Sequence, residues 1–157
     1  MPEDLGARGT AGVIAPPPLI YLLPLVAGLV LDRRVPIGAL PEGPARLLGT
    51  LSLAGVAVAI VALVAFHRAG TRPEPWKPTA ALVTTGPYRI SRNPMYLGFT
   101  FLYLGLSLWF GGYWCLVFLP LVLVVMTIGV IRREEAYLER LFGDEYRAYR
   151  ARVRRWL

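Results

Sequence analysis

Two short polar clusters hold most of the side chains in this chain that could do chemistry. The first is Thr85-Gly86-Pro87-Tyr88-Arg89 with Arg92-Asn93-Pro94-Met95-Tyr96-Leu97-Gly98, and the second is Arg132-Arg133-Glu134-Glu135. Guanidinium forks suit carboxylates and phosphates. Carboxylates suit hydroxyls, ammonium groups or a transferred proton, and phenol faces attract cations. Both clusters sit where long apolar runs begin or end. Polar, irregular backbone at membrane depth is tolerated only where protein buries it or it lines a cavity, so a site is expected here rather than a tether. A Glu-Glu pair at such a boundary is costly unless partnered, and Arg92, Arg89 and Lys77 are the candidate partners. Each signal also has a plain structural reading. Gly86-Pro87-Tyr88 suits a turn, Asn93-Pro94 a helix start, and the charges after Ile131 the snorkelling end of a span.

The elements that must position these clusters are read from uncharged runs. Apolar residues make up 55% of the 157 and charged residues 17%. Ala11 to Leu31 carries no charge, nor does Leu47 to Phe66, and Met95 to Ile131 runs 37 residues without one. The last is too long for one span and suits a hairpin of two, turning at Gly111-Gly112-Tyr113. The expectation is an all-α polytopic membrane protein, one domain over 1–157. It has about four transmembrane helices (16–31, 47–66, 95–110, 114–131), a polar loop at 67–94 and an amphipathic interfacial helix at 132–156. Pro16-Pro17-Pro18 places the first helix start near Pro18. Glu3 and Asp4 against a single Arg8 make a poor signal peptide, so the leader is expected to stay. In the tail, Leu138, Phe142, Tyr146, Tyr149, Val153 and Trp156 recur on a helical period between Arg and Glu faces, as in a helix lying among headgroups. Gly49, Ser52 and Gly55 make a small-residue face for close helix packing, read as packing within one protomer.

Charge distribution excludes more than net charge does. The total of +7 would allow nucleic acid, but 14 Lys/Arg fall on the N-terminus, the 67–94 loop and the tail, against three (Arg33, Arg34, Arg46) between the first two spans. The positive-inside rule then places both termini and the loop in the cytoplasm, with the basic residues meeting the lipid bilayer's anionic headgroups. No nucleic-acid partner is expected. Cys115 is the single cysteine, so neither a disulfide framework nor a cysteine zinc site is available, and no metal is expected.

In order and spacing, the clusters resemble the isoprenylcysteine carboxyl methyltransferase and phospholipid N-methyltransferase superfamily of integral-membrane enzymes. The resemblance runs through Gly70-Thr71, Leu82-Val83-Thr84, Gly86-Pro87-Tyr88-Arg89, Arg92-Asn93-Pro94-Met95-Tyr96-Leu97-Gly98, Glu134-Glu135, Leu138, Phe142-Gly143-Asp144-Glu145-Tyr146 and Tyr149, roughly residues 47 to 155. It implies S-adenosylmethionine as methyl donor, held at the cytoplasmic membrane face by Thr85, Gly86, Pro87, Tyr88, Arg92, Asn93, Tyr96, Gly98, Glu134 and Glu135. Glu135, Arg133 and Arg89 are then the candidates to act on the acceptor, Glu134 or Glu135 as a base and the arginines as an anion anchor.

The chain departs from the isoprenylcysteine branch, which has His where this chain has Thr85 and usually His in place of Asn93. The one histidine, His67, closes the second apolar run beside Arg68 and reads as a boundary residue. Methyl transfer is an in-line displacement with a neutral leaving thioether, so alignment and exclusion of water matter most. A carboxylate or thiolate acceptor needs no base, whereas an amine must shed a proton. The expected function is methyl transfer to a lipophilic, membrane-partitioned carboxylate or thiol. N-methylation of a phospholipid headgroup, a nicotinamide-dependent lipid reductase and a non-catalytic membrane scaffold stay open as alternatives.

Overall fold

The computed structural model describes residues 9–157; Glu3, Asp4 and Arg8, on which the reading of the leader rests, lie outside the described residues. The described chain is all-α: α1 (Pro17–Arg34), α2 (Glu42–Leu53), α3 (Gly55–Arg68), α4 (Pro94–Trp109), α5 (Tyr113–Met126), α6 (Arg132–Phe142) and α7 (Asp144–Arg152). The helices α2 and α3 run together as one 27-residue rod, Glu42–Arg68, and α5 and α6 as one of 30 residues, Tyr113–Phe142. These two rods are long and apolar enough to cross a membrane. Of the other two expected spans, α1 ends in Asp32-Arg33-Arg34. The 16 residues of α4 rise about 24 Å, short of a ~30 Å hydrocarbon core. Both pack beside the long rods, α1 on α5 and α4 on α2 and α3.

Large apolar side chains point outward along these helices, among them Leu23 and Val26 of α1, Leu51 and Ile60 of the α2–α3 rod, and Leu121 and Val124 of α5. An apolar exterior on this scale is built for lipid or another protein rather than water. Inside, Tyr103, Cys115, Val122, Met126 and Ile131 form the core with Ile20, Tyr21 and Leu25 of α1. Buried polar groups there are partnered: the Tyr103 hydroxyl donates to the Cys115 carbonyl at 2.8 Å and Ser107 Oγ to the Tyr103 carbonyl at 2.7 Å.

The small-residue face of the α2–α3 rod packs within the protomer, as read. A Cβ on Gly98 would lie 2.6 Å from Ala59 Cβ and 2.8 Å from the Gly55 carbonyl oxygen. Glycine is therefore required where α3 and α4 touch backbone to backbone, and this crossing sets the start of α4, which carries Asn93 to Tyr96.

The tail departs from the expected single interfacial helix over 132–156. From Arg132 to Phe142 it prolongs α5 through a π turn at Thr127–Ile131. Gly143, at φ 52°, then breaks the helix in a conformation that favours glycine. The next helix, α7, stops at Arg152, and Val153 is extended. Ser91 and Arg154 then form a one-residue parallel bridge. The aromatic stripe meets protein rather than headgroups: Tyr146 and Tyr149 are buried, and the Tyr149 hydroxyl donates to the Tyr88 carbonyl at 2.8 Å.

Candidate active site

The loop between α3 and α4 is irregular apart from the 3₁₀ turn Gly86–Arg89, and side chains replace the missing backbone ladder. Thr71 Oγ1 accepts from the Ala80 amide at 2.9 Å, and the Tyr137 hydroxyl accepts from the Thr79 amide at 3.1 Å. These bonds hold the loop over the inner end of α6. An N-terminal strap lies across the same end: the Ile14 amide donates to the Gly129 carbonyl at 3.2 Å and the Ala11 amide to the Pro75 carbonyl at 3.3 Å.

Between loop, strap, α4, α6 and α7 lies a cleft of about 90 Å³, lined by Ala11, Glu74, Tyr88, Arg92, Asn93, Tyr96, Glu134, Glu135, Tyr146 and Tyr149, with Phe66, Val83, Met95 and Leu138 among its apolar walls. An apolar wall with a few convergent polar groups is the lining of a small-molecule site. The two sequence clusters, some 40 residues apart, meet in it. The Tyr96 hydroxyl donates to Glu134 Oε1 at 2.6 Å. Arg92 Nη2 lies 3.1 Å from Glu135 Oε1, with both side chains only 10% exposed.

Adjacent in sequence, the two glutamates sit in opposite surroundings. Glu135 is held by two guanidiniums: besides Arg92, Arg155 Nε donates to Oε1 at 3.0 Å and Nη2 to Oε2 at 2.7 Å. Glu134 has a phenol as its partner. It stands on α6, beyond the apolar stretch Tyr113–Ile131, yet burial pushes its carboxyl up to about 7; the Tyr96 bond opposes that shift and the Glu135 charge adds to it. A carboxylate with few favourable contacts releases its charge readily, which is the property of a proton acceptor. Burial likewise raises the Tyr88 phenol far above its ordinary range, with Tyr149 and Glu134 adding to it, so the phenol stays neutral. Two further polar features mark the cleft. Among the described residues, Arg92 Nε and Nη1 are buried without a hydrogen-bond partner, and so is Glu74 Oε2, whose companion oxygen Oε1 accepts from Lys77 Nζ at 2.9 Å. Lys77 holds the Glu74 carboxyl below the usual range. Among the described residues no group of three or more His, Cys, Asp or Glu is arranged for a metal.

Of the residues nominated from sequence, the cleft gathers Tyr88, Arg92, Asn93, Tyr96, Glu134 and Glu135. Thr85, Gly86 and Pro87 form the turn that delivers Tyr88 but do not line it, and Thr85 and Gly86 are exposed. Gly86, at φ 60°, gives that turn its left-handed corner. Gly98 lies away from the cleft at the α3–α4 contact, on an apolar groove with Val56, Ala59 and Phe99. Arg89 is exposed outside the cleft. Arg133 also turns away, its Nη1 donating to the Gly12 carbonyl at 2.8 Å, so it ties down the strap. Asn93 turns its amide Nδ2 to the Arg155 carbonyl at 3.0 Å. His67 is exposed and stands apart from the cleft. Sequence reasoning missed Glu74, Tyr137 and Arg155. The Pro73-Glu74-Pro75 run offered a weak turn signal for the first, whereas Arg155 was one of many tail arginines.

Comparison with known proteins bears on the family of the chain. An uncharacterized protein of Haemophilus influenzae (strain ATCC 51907 / DSM 11121 / KW20 / Rd) is 45% identical over 65 residues, 40% of this chain and 100% of its own length. The protein-S-isoprenylcysteine O-methyltransferase of Schizosaccharomyces pombe (strain 972 / ATCC 24843) is 40% identical over 72 residues, 46% of this chain but 30% of that enzyme. No solved structure matches. Residues 49–145, more than half of the chain and both polar clusters, match the family described as PEMT, phospholipid methyltransferase; the chain belongs to that family.

Proposed function

We propose that the cleft binds S-adenosylmethionine and that the protein transfers its methyl group to a lipophilic acceptor partitioned in the membrane. The observation that carries this reading is Arg92. Its side chain is only 10% exposed on the cleft wall, with Nε and Nη1 unpartnered among the described residues, beside a half-buried Glu134 that accepts from a phenol. Buried polar groups are normally satisfied, and the amino acid end of such a donor brings a carboxylate for the arginine. The bound donor supplies an electrophilic methyl on a sulfonium. The protein's part is to orient, to exclude water and to manage one proton. Tyr88, Tyr96 and Tyr149 wall the cleft with neutral aromatic surface, and loop and strap close it from above. Glu134, raised to about 7, can take the proton of an acceptor that must lose one, such as an amine or thiol. That residue favours such acceptors over a carboxylate, which needs no base. Membership of a phospholipid methyltransferase family and similarity to an enzyme named for isoprenylcysteine support acceptors with long alkyl chains. The basic excess on loop and tail favours a cytoplasmic cleft, with both termini on that side.

The test is calorimetric titration of the purified, detergent-solubilised protein with S-adenosylmethionine, followed by labelled-methyl transfer into membrane lipid extract. Saturable binding abolished by Arg92→Ala, with label appearing in extractable lipid, is expected. Absence of binding by folded protein would refute the reading.

A further inference from the structure

Residues 154 and 155 lie beyond the segment that matches the family, yet they hold residues that line the cleft from behind. The Arg92 amide donates to the Arg154 carbonyl at 2.9 Å. Ser91 Oγ and Asn93 Nδ2 both donate to the Arg155 carbonyl, at 3.3 and 3.0 Å. The polar segment of the loop thus grips the backbone of the tail, and the Arg155 side chain reaches back to grip Glu135 with both arms of its fork. The result is a charged triad, Arg92–Glu135–Arg155, with one carboxylate between two guanidiniums and a net charge of +1.

That arrangement decides what Arg92 can do. A lone arginine beside a buried carboxylate takes it side-on with two parallel N–H donors, a neutral pair with little attraction for an anion. Here Arg155 occupies Glu135 in that bidentate way, and Arg92 reaches Oε1 with Nη2 alone, at 3.1 Å. Its Nε and Nη1 stay buried and unpartnered. We infer that Arg155 is a positioning residue: by holding Glu135 it leaves two buried donors of Arg92, a residue of the cleft wall, without a partner among the described residues, and these take the carboxylate at the amino acid end of the methyl donor. The inference rests on the donor assignment made above.

The experiment compares two ligands that share the adenosine and thioether but differ in that carboxylate. S-adenosylhomocysteine has it and methylthioadenosine does not. Affinities of both are measured by calorimetry for wild type, Arg155→Gln and Arg155→Lys, with thermal melting to verify folding. The backbone bonds to residues 154 and 155 do not depend on the Arg155 side chain, which is itself 35% exposed, so Arg155→Gln is expected to fold. In Arg155→Gln, Glu135 is free to take Arg92 in a bidentate pair. S-adenosylhomocysteine affinity should fall at least tenfold while methylthioadenosine affinity stays within twofold, and Arg155→Lys should recover part of the loss. An equal fall for both ligands, or for neither, overturns the positioning role. Failure of wild type to bind either ligand overturns the donor assignment and the positioning role together.

Discussion

Glu134 and Glu135 are neighbours whose substitution should have different consequences. Glu135→Ala removes the carboxylate between Arg92 and Arg155, which it meets at 3.1 and 2.7 Å. Truncating one member of a buried ion pair leaves an uncompensated charge, at a cost of about 3–5 kcal/mol. Arg92 is 10% exposed and carries that cost in full, whereas Arg155 is 35% exposed and its share is screened by water. The lower end, about 3 kcal/mol, is therefore expected. For a chain of this size, at about 2–4 °C per kcal/mol, Tm should drop by about 6–12 °C. Glu134→Gln gives up a hydrogen bond to a charged acceptor but also a desolvated carboxylate, and the two effects oppose. Its net change at pH 7 should lie within about 1 kcal/mol. The assay is thermal unfolding in one detergent at one pH, read by circular dichroism. Equal losses for the two variants would refute the assignment of Glu135 as the ion-pair hub and Glu134 as the group partnered by a phenol.

Three further outcomes follow from the same contacts. Glu134 is raised from 4.5 to about 7 in the folded state, so the fold holds its proton more tightly than the unfolded chain does. Its contribution is fully present below about pH 4.5 and is lost as pH rises through 7. Relative to Glu134→Gln, wild type should lose stability on going from pH 5 to 8, by up to ~3 kcal/mol, and parallel pH–Tm curves would contradict this. Gly98→Ala places a methyl 2.6 Å from Ala59 Cβ and should cost about 1–3 kcal/mol. Donor affinity of the folded fraction should not change, and calorimetry on Tm-matched samples checks this. Tyr149→Phe leaves the Tyr88 carbonyl without its 2.8 Å donor, costing about 1–2 kcal/mol; limited proteolysis should cut the 70–90 loop faster in this variant.

Sequence alone determined the elements whose causes are local. Uncharged runs bounded the apolar helices to within a few residues, because hydrocarbon-facing segments exclude charge along their whole length. Two rods overran their apolar runs: Glu42–Arg68 starts before its run does, and Tyr113–Phe142 continues past Ile131. Asn93-Pro94 marked the start of α4, since proline is comfortable at a first helical position. Gly49 and Gly55 marked a packing face that the structure fills with α4. Order and spacing of the polar clusters also pointed to the family. Only the tertiary structure decided the roles within the clusters. Glu134 and Glu135 look identical in sequence, yet one faces a phenol and the other two guanidiniums. Arg133 was a candidate and Arg155 was not, yet the first holds the strap and the second holds Glu135. The tail read as a continuous amphipathic helix because aromatic residues at helical spacing do not reveal whether lipid or protein covers them. The left-handed Gly143 and the grip of residues 91–93 on residues 154 and 155 turned it into a wall of the cleft. A side chain's charge is written in the chain, but its partner is set by contacts between residues far apart in sequence, and only the partner decides whether that charge is neutralised, shared or left free to act.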